Sequence, residues 1–273
     1  MKGSFFTYKY FLKEFILKEK IEMKMIDPNE EVKEVVPVQV TDPEFWPIED
    51  LPSKYLLYPK GIKIFGRPLK LIEVKKLSLL NEENFDITIN TVLASAIRGI
   101  QIEDLLIADK LYIIFWLRAN TYREPGYDVS FFCDKCEKMS NYMFTLDNLS
   151  VVYLKEEFLK NNIFNNLTLG FLTVAEELEV KTFKKSSTEI DDEIVNVAAT
   201  VKLIDGKKET IQKKYSYLIE MKPTEYVKLK SIITKYEIGV NGNLKVKCQK
   251  CGGEAQVGVT FRPNFFLPDY TVG

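Results

Sequence analysis

The sequence predicts an α+β fold: a mainly helical body to which two β-hairpin knuckles are attached, each carrying a C-x-x-C pair. Three observations predict it. Apolar residues recur at helical spacing through 71–122 and 173–236. Helix-starting residues stand at Thr173 and Pro223. Runs of strand-forming residues flank Cys133-x-x-Cys136 and Cys248-x-x-Cys251 on both sides.

The elements follow in order. Phe5, Tyr8, Phe11, Leu12, Phe15 and Ile16 predict an amphipathic helix over 5–19, docked on its own core or on another subunit. Pro28, Pro37, Pro43, Pro47 and Pro52 recur among acidic residues. Proline lacks an amide donor and fixes φ, so 1–52 reads as a helix followed by an extended arm. Phe45 and Trp46 in that arm either anchor a partner or cover the adjacent body. The helical core is expected over 53–127. It opens with a short strand and turn at 55–61, then helices over 71–80, 86–100 and 104–122, with Gly99 placed to end the second. Leu105, Leu106, Leu111, Tyr112, Phe115 and Trp116 form a stripe that has to be largely buried.

The first knuckle is expected over 128–150 and the second, with a C-terminal tail, over 244–273. Between them, 151–243 reads as strand then helix. Residues 151–172 look strand-like. Thr173 and Glu176 form a capping box for a helix to 185. A further helix is expected over 189–203, with Asp205-Gly206 as its exit, and another from Pro223 to 236. In the tail, Pro263 and Pro268 argue against regular helix. Phe265, Phe266, Leu267 and Tyr270 are too apolar to stay wet; they pack on the chain's own helices, against Trp116, or on a neighbouring subunit.

Composition excludes several functions. The 273 residues are 46% hydrophobic and 28% charged, an ordinary globular balance. Lys+Arg is 38 and Asp+Glu is 39, for a net charge of -1. Nucleic-acid binders usually carry a basic excess that neutralises phosphates, so no nucleic acid is expected. There is no histidine, which removes the usual general base and any Ser-His or Cys-His pair. Carboxylates occur in runs such as Asp191-Asp192-Glu193, which read as a solvated helix face. Neither a phosphate-binding glycine loop nor a dinucleotide fingerprint is present. A non-enzymatic protein without a small-molecule substrate is expected. No apolar run reaches the roughly 20 residues a membrane span needs. The first 20 residues lack a small-residue cleavage site, so a reducing cytoplasm is expected and the cysteines read as thiolates.

Each cysteine pair sits in a strand, tight turn and strand, from Asp128 to Leu146 and from Leu244 to Val259. Two such hairpins face to face make a zinc ribbon. Four thiolates close a tetrahedral shell around the ion and leave no position for water. Cys133, Cys136, Cys248 and Cys251 are therefore candidate ligands of one structural zinc per chain. Residues 137–247 separate the pairs, so the ribbon is discontinuous and its metal would clip distant parts of the chain. Thiol redox chemistry predicts a reactive pair at a helix N-terminus, which hairpins do not offer. Reduced cysteines without metal are the third reading. Gly252-Gly253 suits a turn with positive φ.

Several strings then carry a resemblance. LPSKYLLYPKG at 51–61, FGRPLKL at 65–71, LLIADKLYIIFWLRANTY at 105–122, the first C-x-x-C, and CQKCGG with VTFRPNFFLPD at 259–269 follow one another in order. The order resembles the baseplate hub and hub-assembly proteins of T-even-like contractile-tailed bacteriophages over about 50–270. The family's cysteine knuckles map onto Cys133, Cys136, Cys248 and Cys251. The chain departs from the pattern at 119–128, where Arg-Glu-Pro stands in place of a short glycine link, and its first 50 residues lie outside. The resemblance implies a structural or assembly role without catalysis. It implies other tail and hub proteins as partners, host cytoplasm during assembly, and a place in the virion tail baseplate. The alternative is a zinc-ribbon nucleic-acid binder, for which Lys245, Lys247 and Lys250 supply charge that Asp134 and Glu137 offset.

Overall fold

A computed structural model describes residues 43–81, 83–122, 127–145, 150–186, 189–258 and 263–266. The expected helix over 5–19 and the arm up to 42 lie outside the described residues.

Strands β1 (Trp46–Pro47), β2 (Phe65–Gly66) and β3 (Ile97–Arg98) form a small antiparallel sheet in that order. Helix α1 (Leu71–Ser78) follows β2, and α2 (Phe85–Ala96) runs directly into β3. The second expected helix thus ends at Ala96, before Gly99. Gly99 serves the turn instead. Its φ is +94°, and a Cβ there would lie 2.0 Å from the Lys63 carbonyl oxygen. The strand expected within 55–61 is a turn, with positive φ at Lys54 and Tyr55. Tyr55 is held there by its hydroxyl, which donates to the Ile48 carbonyl at 2.5 Å and accepts the Ile64 amide at 3.2 Å.

A 3-10 turn (Ile102–Asp104) leads into α3 (Ile107–Thr121). Much of the apolar stripe predicted for this stretch is buried: Leu105, Leu106 and Phe115 are buried, while Leu111, Tyr112 and Trp116 are partly so. Polar groups on α3 and its C-terminal cap tie three other segments to it. The Asp109 carboxylate accepts the Ser53 amide at 2.9 Å and the Tyr58 hydroxyl at 2.7 Å. The Thr121 hydroxyl accepts the Leu69 amide at 2.9 Å. Arg118 Nε donates to the Phe265 carbonyl at 2.6 Å, and the Tyr122 hydroxyl to that of Phe266 at 2.5 Å. Around α3 lies a first apolar core that includes Ile48, Leu51, Ile64, Leu93 and Ile113, joined by Phe131, Val246 and Phe265 from much later or different parts of the chain. Phe45, read as a partner anchor or a cover, is buried under Arg67 and Arg98, which supports the covering role. Trp46 stays 45% exposed and meets Trp116 edge-on.

The first knuckle is β4 (Tyr127–Cys133) paired with β5 (Lys138–Phe144). After β6 (Ser150–Val152), the chain builds a second apolar core. It comprises α4 (Glu156–Asn161), β7 (Ile163–Phe164), β8 (Leu167–Leu169), α5 (Val174–Lys185), α6 (Asp192–Thr200), β9 (Val201–Ile204), β10 (Lys207–Lys208), α7 (Ile211–Ile219) and α8 (Pro223–Lys235). Four of its strands form an antiparallel sheet in the order β10-β9-β8-β7. Leu154, Phe158, Leu167, Val195, Ala198 and Leu229 fill this core. The capping box at Thr173 and Glu176 is present, and Pro223 opens α8.

The helix expected over 189–203 stops at Thr200. Val201–Ile204 is a strand, and Asp205-Gly206, both at positive φ, turn it into β10 as a hairpin. Residues 151–172, expected to be mostly strand, also contain α4. Strand β11 (Gly239–Asn241) then pairs with β6. The second knuckle is β12 (Asn243–Lys247) paired with β13 (Glu254–Gly258). The tail contains a helical turn, α9 (Pro263–Phe266), where no regular helix was expected. Proline at a first helical position loses no bond, because its amide would be unpaired there anyway. Phe265 and Phe266 are buried on this chain, not on a neighbour. Phe265 meets Phe115 edge-on at 5.4 Å rather than Trp116.

Candidate metal centre

The two knuckles have the same backbone geometry. Each places its second cysteine one residue before a left-handed position, Glu137 at φ 54° and Gly252 at φ 69°. In each, the amide of that residue donates to the carbonyl of the first cysteine at 2.8 Å: Glu137 to Cys133, and Gly252 to Cys248. The loop is thereby closed tightly enough to bring two sulfurs to one point. Gly252 occupies the left-handed position at no steric cost, whereas Glu137 is strained.

The hairpins then face each other. Cys133 Sγ lies 3.7 Å from Cys251 Sγ, and Cys136 Sγ lies 3.8 Å from Cys248 Sγ. All four sulfurs are within 4.8 Å of one another and none forms a disulfide. Cys133 and Cys248 are buried, and Cys136 and Cys251 partly so. Four ligands about 2.3 Å from a central ion stand about 3.8 Å apart at the corners of a tetrahedron, so the spacing suits a zinc-sized ion. The donor set suits it too: four soft sulfurs.

Backbone and side-chain donors point at the sulfurs. The Gly253 amide approaches Cys251 Sγ at 3.4 Å. Burial pushes the Cys248 thiol up, but the Lys250 amide, the Ser140 hydroxyl and the Cys251 amide outweigh it and hold the thiol at about 6. Cys136 is pushed up to about 12, by burial and by hydrogen bonds with the three other cysteines. A stabilised Cys248 thiolate beside a Cys136 thiol that resists ionisation is what close sulfurs show without a balancing cation; a bound divalent cation would favour the thiolate form of every ligand.

The four residues singled out from the sequence are thus all brought together. Ser140 was missed. Its hydroxyl also accepts the Gln249 amide at 3.3 Å, joining the first knuckle to the second. The period-2 alternation of β5 carries the signal, since Ser140 stands opposite buried Phe131 and lies between the exposed Met139 and Asn141. Lys135 was missed as well. A Cβ on Gly253 would lie 2.8 Å from Lys135 Cδ, so the lysine stem covers the glycine of the opposite knuckle.

Fold and site together define an α+β scaffold whose distant segments are joined at a four-cysteine cluster. Residues 48–267 match a family model described as the T4 bacteriophage base plate protein. The chain belongs to this family of phage baseplate proteins. No curated protein and no solved structure is significantly similar to it. Among the described residues, no helix is long and apolar enough to cross a membrane.

Proposed function

We propose that the chain is a structural or assembly component of the baseplate hub. It acts through contacts with other tail proteins and carries no catalysis. Cys133, Cys136, Cys248 and Cys251 hold one structural zinc, which supplies a tetrahedral cross-link between the two knuckles when bound. The observation that carries this reading is the convergence of four sulfurs from two hairpins that residues 137–247 separate in a baseplate-family chain. The divisions at 52, 127, 150 and 243 then separate arm, helical core, first knuckle, insert and second knuckle. The protein meets its partners in the host cytoplasm and takes its place in the tail of the virion. The absence of histidine supports a non-enzymatic role.

Two measurements test the proposal. Elemental analysis of the purified chain should give about one zinc per chain, as one closed shell requires. Electron microscopy of particles carrying a tagged chain should place the tag at the centre of the baseplate. A metal-free chain whose stability ignores chelator removes the zinc; a tag at the baseplate periphery removes the hub.

A further inference from the structure

Helix α1 has two apolar faces. At 100° per residue, Glu73, Val74 and Leu77 fall on one side and are buried. Leu71, Ile72, Lys75, Lys76 and Leu79 fall within an arc of about 140° on the other. That outer arc is solvent-exposed: Leu71 is 68% exposed, Ile72 61% and Leu79, at the helix end, 74%. A solvated helix would carry polar residues at those positions. Its charge is also one-sided. Glu73 is turned inward, where it meets Arg67 at 2.7 Å. The exposed charges of the element are Lys70, Lys75 and Lys76, all cationic. None of them forms a side-chain ion pair among the described residues.

We propose that this outer face of α1 docks an acidic amphipathic segment of another protein, its apolar stripe on Leu71, Ile72 and Leu79 and its carboxylates on Lys70, Lys75 and Lys76. Charge complementarity selects this occupant. A second copy of the chain would bring the same lysines against themselves across a two-fold interface, and like charges oppose that. A nucleic acid would match the lysines but not three exposed aliphatic side chains between them. A membrane surface needs a longer apolar face than an eight-residue helix supplies. The proposal rests on the assembly reading above only in taking the occupant to be a protein; it does not depend on the metal.

The test uses the full chain and a synthetic helical peptide with glutamates flanking a leucine stripe. Its controls are the same peptide with lysines for glutamates, anionic vesicles and duplex DNA. The acidic peptide is expected to bind, and the lysine peptide is not. Ile72→Ser and the pair Lys75→Glu, Lys76→Glu should each weaken binding at least ten-fold while the chain stays folded, because these side chains are exposed; the charge reversal opposes the helix dipole and lowers the melting temperature only slightly. Added salt should weaken binding as well. Equal binding of both peptides, no binding of either, or stronger binding of vesicles or DNA that the two variants abolish would overturn the proposal. So would a dimer that Ile72→Ser dissolves. A chain that binds the peptide through α1 but never joins a baseplate would sink the assembly reading and leave this one standing.

Discussion

Among the described residues, several buried polar side chains in the first core have partners, while the buried Asn90 Oδ1 lacks one, and two of the partnered groups govern measurable stability. Tyr58 donates to Asp109 and accepts the Leu106 amide at 3.1 Å, while burial pushes the Asp109 carboxyl up. Tyr58→Phe leaves the Leu106 amide and one Asp109 oxygen without this partner. An unmade buried hydrogen bond costs about 1–3 kcal/mol, so denaturant unfolding should show a loss of that size. Glu73 works in the opposite sense. Burial opposes its charge, but the Arg67 fork, the Ser95 hydroxyl and the Lys70 amide more than compensate and lower it from 4.5 to about 2. A carboxylate depressed on folding stabilises the native state above its unfolded value and loses that contribution as protons return. Stability should therefore fall by on the order of 3 kcal/mol as pH drops from about 4.5 to about 2. Glu73→Gln should be less stable at neutral pH and flatter across that window. An unchanged pH profile in the variant would refute the assignment.

Among the elements, the sequence was most legible where a chemical cap marks a boundary. Thr173 with Glu176 starts α5, and Pro223 starts α8, because each solves the problem of free amides at a helix end. The cysteine hairpins were legible because strand, turn and ligand spacing all agree. Legibility failed where local preference and tertiary pairing compete. Val195 to Ile204 keeps an apolar pattern that suits a helix, yet Val201–Ile204 pairs with β8 and becomes a strand. Helix α7 escaped notice although Thr210 caps it, because its three buried positions lie in a lysine- and tyrosine-rich stretch. The network at Asp109 was invisible because its donors lie more than 50 residues away in sequence. Two turns invite tests. Gly99→Ala meets both positive φ and the Lys63 carbonyl, and should destabilise by more than about 1 kcal/mol in thermal or denaturant unfolding. Phe266→Ala opens a hole against Leu77, Ile89 and Leu117 and should cost about 3–5 kcal/mol in monomer stability. Unchanged melting would contradict the burial of α9.

Across the whole molecule, the resemblance strings turn out to be one physical unit. Those at 51–61, 65–71 and 105–122 and the tail after the second knuckle meet on α3 through Asp109, Thr121, Arg118 and Tyr122. The order of motifs therefore reports how the first core is held together. The cysteine cluster fixes where β13 begins, and β13 precedes the tail helix that is bonded to Arg118 of α3. If the four cysteines hold a metal as proposed, its removal should loosen both. Chelation, or Cys251→Ser, should lower the melting temperature and raise hydrogen exchange at Arg118 and Phe265. Metal affinity should fall as pH falls, because each thiol has to lose its proton to bind. Exchange at Phe265 unaffected by chelation would break the link between metal and tail.

The two cores also differ in when they can exist. The buried members of the second run from Leu154 to Tyr236, so every one is translated before β12. The first core needs Val246, Val257, Phe265 and Phe266, which are made after all of these. The residues of the second core should therefore emerge first, and residues 48–122 should wait for their last core partners until after it can form. Any host chaperone that serves this chain has its longest interval to act on the half that was translated earliest.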